Sequence, residues 1–216
     1  MLIREAAPAD LPAITAIYAH HVLHGAGTFE EVPPDEADMA ARMKKVLVGP
    51  GNAWLVAEDE AGQVSAYAYY GAFRERSAYR FTVENSIYVR DDVRGQGVGK
   101  ALVAELIARA EAAGFRQMLA VIGDSENVGS IGLHVSLGFR HIGTMRAVGM
   151  KFGRWVDVVT MQRSLGEGEK TLPEDWGRGA FSSQVVHLAT RKMRPDARAF
   201  SSQVAHLATR KMRPDT

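Results

Sequence analysis

The sequence predicts a mixed α/β domain, an open sheet built around one strand-helix-strand unit, followed by a tail of different character. Three observations carry that prediction. Strand-like and helix-like hydrophobic periods follow one another in the order β, α, α, β, β, β, α, β, α, β, β as far as residue 162. The stretch RGQGVGK at residues 94–100 puts three glycines where a strand gives way to a helix. The strand after that helix, residues 118–122, is almost wholly apolar, as expected when both faces of a strand are covered.

Each element has its own signal. Residues 2–5 form a short apolar start, and Pro8-Ala9-Asp10 supplies a capping residue ahead of Leu11, Ile14, Ile17 and Tyr18, which share one helical face. A second helix follows Pro33-Pro34, with Met39, Met43 and Val46 on its stripe, and Gly49-Pro50-Gly51 stops it. Residues 53–58 and 64–70, rich in branched and aromatic side chains, flank Asp59-Glu60-Ala61-Gly62 and read as a hairpin. Residues 81–89 form another strand, and a helix over 98–113 closes at Gly114, a left-handed C-cap. A helix around 130–137 closes at Gly138, and strands near 142–150 and 155–162 are joined through Phe152-Gly153-Arg154.

With 46% hydrophobic residues among 216, the chain can bury a substantial core. Its formal charge of +1 carries no nucleic-acid or membrane signature, and the absence of cysteine excludes disulfides and thiolate chemistry. No apolar leader or spanning stretch is evident, so a cytoplasmic protein is expected. The charge is uneven, net −2 over residues 1–163 and net +3 beyond. Residues 180–196 recur at 199–215 with a period of 19, differing only where Ala205 replaces Val186. A domain over 1–165 and a weakly ordered, duplicated basic tail over 166–216 are expected, the tail without catalytic role.

The glycine stretch has three readings as a phosphate site. A P-loop needs a glycine at position 94 and a Ser or Thr at 101, where Arg94 and Ala101 stand. A dinucleotide fingerprint needs a third glycine where Lys100 stands. Arg-x-x-Gly-x-Gly opening a helix remains, its bare amides and the helix dipole suiting a pyrophosphate, against the alternative of a flexible turn. Downstream lies Asn127-x-x-Ser130-x-x-Leu133-His134-x-x-x-Gly138-Phe139, on the next helix.

Together these segments resemble motifs A and B of the GNAT superfamily of acetyl-CoA-dependent N-acyltransferases. The stretches at residues 79–89 and 149–157 resemble its phosphinothricin and methionine sulfoximine N-acetyltransferase branch, and the likeness covers about residues 1–163. The resemblance implies a central twisted, mostly antiparallel sheet with one splayed parallel pair. It implies acetyl-CoA as co-substrate, its pyrophosphate on the backbone of Arg94, Gly95, Gln96, Gly97, Val98, Gly99 and Lys100. The pantetheine arm would pair with the strand ending at Ile87, Tyr88 and Val89 and meet Asn127 and Ser130.

Acetylating an amine requires a base, an oxyanion donor and an acid for the leaving thiolate. Glu84 is the candidate base: alternation puts it with Thr82, Ser86 and Tyr88 on the more polar side of its strand, pointing toward the cleft. As a structural residue it would instead pair with Arg80. By the resemblance His134 is the acid, standing where many relatives carry tyrosine; otherwise it is a packing histidine. The oxyanion donor is placed at a backbone amide near Val89, and transfer is direct, without an acyl-enzyme. Arg74 and Arg80 suit a carboxylate or a phosphinate-like head group, or are merely solvated, and Phe29 and Trp155 offer apolar walls. Asn85 stands where the family frequently has histidine.

His20, His21 and His24 invite a metal reading, but no third ligand is evident and none is expected. The resemblance implies acetylation of the α-amino group of a small amino-acid analogue, by a homodimer. The alternatives are another small amine or a peptide N-terminus as acceptor, or a non-catalytic coenzyme A-binding module.

Overall fold

The computed structural model describes residues 1–173; the duplicated segment lies outside them. Seven strands form one sheet: β1 (Leu2–Glu5), β2 (Ala53–Glu58), β3 (Val64–Ala72), β4 (Thr82–Val89), β5 (Gln117–Gly123), β6 (Arg140–Lys151) and β7 (Arg154–Ser164). Four helices accompany them: α1 (Leu11–His24), α2 (Glu36–Leu47), α3 (Val98–Ala112) and α4 (Val128–Ser136). The spatial order is β1-β2-β3-β4-β5-β7-β6, and only β4 and β5 run parallel. That parallel pair is the unit crossed over by α3, as read from the sequence.

Two apolar layers sandwich the sheet. On one side Leu102, Val103 and Leu106 of α3 pack on Leu55, Ala68, Val83, Met118 and Met161. On the other, Ile14, Ile17, Tyr18 and Val22 of α1 and Met39 and Met43 of α2 cover Trp54, Val56 and Tyr67. Each fully buried large aliphatic or methionine side chain contributes about 1.5–3 kcal/mol.

The turns follow their chemistry. Asp59 Oδ1 accepts from the amides of Ala61 and Gln63, closing the β2–β3 hairpin. Phe152 and Gly153, at φ 51° and 73°, make the two-residue link between β6 and β7. Gly114 and Gly138 take the left-handed conformation expected of them.

Asp10 departs from expectation, because it makes no side-chain cap to α1. A 3-10 turn at Pro8–Asp10 runs straight into the helix, so Asp10 already has helical torsions. Its carboxylate turns back to accept from Ala7 N at 2.7 Å and from Arg4 at 2.7 and 2.8 Å. Asp35 does cap its helix, accepting from Asp38 N at 2.8 Å at the start of α2.

Residues beyond the last strand still pack on the strands before them. Leu165 is fully buried and donates its amide to Arg116 O at 3.0 Å, and Arg116 reaches Thr171 Oγ1 at 3.1 Å. Among the described residues no helix is long and apolar enough to cross a membrane.

Candidate active site

The site begins where a ladder ends. β4 and β5 pair from Thr82 with Gln117 to Asn85 with Ala120 and then part. Phe73 N donates to Thr82 O and Arg90 N to Ser65 O, so even-numbered residues along β4 turn their backbone groups to β3. The odd-numbered ones, Asn85, Ile87 and Val89, face β5. Beyond Asn85 that edge borders a cleft of about 860 Å³, lined among others by Ser86, Ile87, Tyr88, Val121, Asn127 and His134.

At one end of the cleft lies the glycine loop. Gly95 and Gly97 have φ of 75° and 85°, and a Cβ on either would meet nothing within 4 Å. Their requirement for glycine is therefore conformational, and the space beside the backbone is open. The first helical bond of α3 runs from Ala101 N to Gly97 O. The amides of Val98, Gly99 and Lys100 thus belong to the first turn, which has no intrahelical acceptor. Gly99 serves differently: a Cβ there would stand 2.9 Å from Leu133, so it permits α3 and α4 to approach.

Arg94 and Lys100 are exposed at this loop, Arg94 bonded to Asp91 at 2.6 Å. Gln96 points away from the helix mouth, donating to Asp92 O at 3.0 Å. Asp91 also meets His20 at 2.6 Å, and the partly buried His21 donates Nε2–H to Val89 O at 3.0 Å. The α1 histidines therefore brace the loop and the end of β4. Among the described residues no three side chains are grouped as metal ligands.

Asn127 and Ser130 both line the cleft. Asn127 Oδ1 accepts from Ser130 N at 3.2 Å, so its carbonyl caps α4 while its amide nitrogen lies 3.5 Å from Gly123 O. The β5–α4 turn holds its shape through Asp124, at φ 72°, which accepts from Glu126 N and pairs with Arg154. Asp157 accepts from Ser125 Oγ, Arg146 and Ala147 N, tying β7 to the same corner.

Glu84 and His134 flank β4 from opposite sides. His134 is 2% exposed, edge-on to Phe139 at 4.9 Å, with Nδ1 2.8 Å from Ser130 O and Nε2 3.1 Å from Asn85 Oδ1. Burial pushes its pKa down and the Ser130 carbonyl holds it up, with burial the larger.

Glu84 projects to the face covered by α1 and α2 and does not line the cleft itself. That face is more apolar than the alternation of β4 suggests, because Trp54, Tyr67, Tyr69 and Tyr88 stack across it. Burial raises the Glu84 carboxyl above the ordinary range, and the charge of Arg74 pulls it back.

The expected substrate residues divide. Arg74 is exposed, stacked on Phe73 at 4.8 Å, with its charge felt by Glu84. Arg80 stacks on Phe81 at 4.6 Å and donates to Ser77 O at 3.0 Å. Phe29, in the α1–α2 loop, lies on Gly149, where any side chain would overlap its ring. Trp155 is 67% exposed at the start of β7 and away from the cleft lining.

The loop carrying Phe29 is fixed by a residue the sequence reading missed. Lys151, 3% exposed, donates Nζ to Gly25 O and Thr28 O, both at 2.8 Å. The loop passes so close to β5 that a side chain on Gly123 would overlap Ala26 O. Tyr18 and Arg42 converge on Glu30 and complete the clamp.

A parted parallel pair, a helix mouth of free amides and an open groove between them define an acyl-coenzyme A-dependent transferase; the donors, the room at Gly95 and Gly97 and the cleft all fit the cofactor. Residues 3–160 match the family model of the acetyltransferase (GNAT) domain. The chain is 55% identical over 165 residues, 76% of its own length and 83% of the relative's, to phosphinothricin N-acetyltransferase of Alcaligenes faecalis. It is 47% identical over 163 residues, 76% of its length and 94% of the relative's, to the L-methionine sulfoximine/L-methionine sulfone acetyltransferase of Pseudomonas aeruginosa. The crystal structure of a phosphinothricin acetyltransferase from Sinorhizobium meliloti in complex with AcCoA superposes with a TM-score of 0.78 at 51% identity, over 81% of this chain and 94% of that one.

The chain belongs to the GNAT acetyltransferase family, in its phosphinothricin and methionine sulfoximine acetyltransferase branch. It is an acetyl-CoA-dependent acetyltransferase.

Proposed function

We propose that the chain acetylates the α-amino group of a small amino-acid analogue, namely phosphinothricin, methionine sulfoximine or methionine sulfone. The observation that carries this is a carboxylate, Glu84, held half-buried with a raised pKa one residue from the point where β4 and β5 part. The acceptor class follows from the relatives named above. Arg74 supplies the positive charge beside Glu84 that an amino acid's carboxylate needs.

Bound acetyl-CoA supplies an acetyl group activated as a thioester. The amides at Gly95, Gly97, Val98, Gly99 and Lys100 hold its pyrophosphate, and Asn127 and the edge of β4 align its arm. Glu84, outside the cleft lining, takes through a relay water the proton the ammonium loses, and burial makes it a stronger base than an exposed glutamate. Val89 O is engaged by His21, so the β4 groups that remain toward the gap are Ile87 N and O and Val89 N. The two amides are the donors for charge developing on the acetyl oxygen. Of the two protons the ammonium nitrogen loses, Glu84 takes one and solvent the other, and His134 gives one, from Nε2, to the departing sulfur, so protons balance.

The test is thiol release by the full chain with phosphinothricin, methionine sulfoximine, spermidine and a peptide. Turnover is expected on the first two alone, with kcat/KM lowered about 10²- to 10⁴-fold in Glu84→Gln. Turnover on the peptide alone would overturn the acceptor, and an unaffected Glu84→Gln enzyme would remove it as the base.

The chain also carries an apolar face suited to a second copy. β6 is an edge strand, and Ile142, Met145, Val148, Met150, Phe152 and Trp155 on the β6–β7 hairpin are 49–67% exposed. A homodimer covers this face, and Trp155 belongs to it. Light scattering is expected to give twice the chain mass, falling to the monomer in Met150→Glu/Trp155→Glu.

A further inference from the structure

Four groups form a line across the floor of the cleft. Asn85 Nδ2 donates to Leu119 O at 2.9 Å in the interior of the sheet, and Asn85 Oδ1 faces His134 Nε2 at 3.1 Å. His134 Nδ1 faces Ser130 O at 2.8 Å. The Leu119 carbonyl decides which way the Asn85 amide points, because turning it over would set two oxygens against each other. Both ring nitrogens of His134 therefore face oxygens, and neither oxygen carries a hydrogen.

The consequence concerns where protons reside. The Ser130 carbonyl cannot move away, since it belongs to the first turn of α4, and it fixes a hydrogen on Nδ1. A neutral ring then has a bare Nε2 lone pair against Asn85 Oδ1, a contact that costs free energy in a buried site. A second hydrogen on Nε2 relieves it. We infer that Asn85 is a positioning residue that keeps a transferable proton on His134 Nε2, at the point where β4 and β5 part.

Burial lowers the ring's pKa and the Ser130 carbonyl opposes it only in part, while Asn85 Oδ1, 3.1 Å from Nε2, is the acceptor placed to hold the second proton. The ring's titration responds to burial and to Ser130 O, and its remaining polar neighbour is Asn85; on the β6 side Phe139 is in contact. No charged side chain from α3, β5 or β6 is hydrogen-bonded or ion-paired to it among the described residues. After Nε2 gives its proton to the leaving sulfur, the ring is the Nδ1–H tautomer with an unrelieved contact at Asn85, which draws the next proton from solvent. Asn85 stays with Leu119 throughout.

This rests on the acid role proposed for His134, and the experiment separates the two. In the ¹⁵N-imidazole spectrum of the full chain, with the His134 signal assigned by its loss in His134→Gln, the neutral ring is expected as the Nδ1–H tautomer. Asn85→Leu is expected to lower the apparent His134 pKa by about one unit or more, and to shift one limb of the kcat–pH profile with it. Asn85→Ser, which keeps a smaller hydroxyl acceptor, is expected to fall between. An Nε2–H neutral tautomer in the wild type would overturn the inference without any variant needing to fold. An unmoved His134 titration in folded Asn85→Leu and Asn85→Ser would overturn it too. If the titration moves as stated but His134→Gln turns over normally, the pairing stands and the acid role falls.

Discussion

At the glycine loop between β4 and α3 the groups proposed to meet a ligand are main-chain amides from neighbouring residues, presented by two left-handed glycines and a helix start. At the α1–α2 loop the wall is set by side chains from afar: Lys151 bonds Gly25 O across 126 residues of sequence, and Phe29 rests on Gly149. The first region is a local device and the second a tertiary one. The difference implies that the two ends of the cleft fail separately: damage to the first loses coenzyme A, damage to the second loses the amine.

Gly97→Val tests the first half and carries the largest expected effect. A β-branched residue at φ 85° costs about 1–3 kcal/mol of local strain, and the loop relieves it by turning its amides away. Calorimetry is expected to show coenzyme A affinity at least about tenfold weaker, a loss of about 1.4 kcal/mol. Unchanged binding would mean that the amides of this loop are not the phosphate site.

Lys151→Met tests the second. It leaves the carbonyls of Gly25 and Thr28 without their buried donor, which costs about 1–3 kcal/mol and frees the loop that holds Phe29. The KM for the amine is expected to rise severalfold while coenzyme A affinity stays within about twofold. A parallel loss of coenzyme A would show that the two ends are one unit.

The same division explains what could be read from the sequence. The element order, the parallel pair and the glycine loop were legible, because alternation, apolar runs and glycine before a helix are local signals. His134 and Glu84 were legible as types, by resemblance and by strand alternation. That Glu84 lies over stacked aromatic rings was not, because the rings come from β2 and β3 and only the strand order brings them together. Asn85 gave no signal of its role, which depends on a carbonyl of β5 and a ring on α4. Lys151 gave no signal of its role, because only tertiary packing buries it and brings the carbonyls of Gly25 and Thr28 to it. Asp10 misled because the 3-10 turn before α1 has no distinct sequence pattern.

Glu84 sharpens the comparison at the smallest scale, since it stands on β4, the strand that leads to the glycine loop, and projects to the face covered by α1 and α2. Burial raises its folded pKa, so the native state favours the protonated carboxyl. That contribution to stability is present below the ordinary glutamate value of about 4.3 and is lost as pH rises through the folded value. A neutral glutamine suffers no such loss. Glu84→Gln, poor as a catalyst, is therefore expected to melt about 2–5 °C above the wild type at pH 8, with the gap closing toward pH 4, as calorimetric scans at both pH values would register. A gap that stays constant with pH would mean the carboxylate is already compensated, by Arg74 or by solvent, and that the basicity assigned to burial has another source.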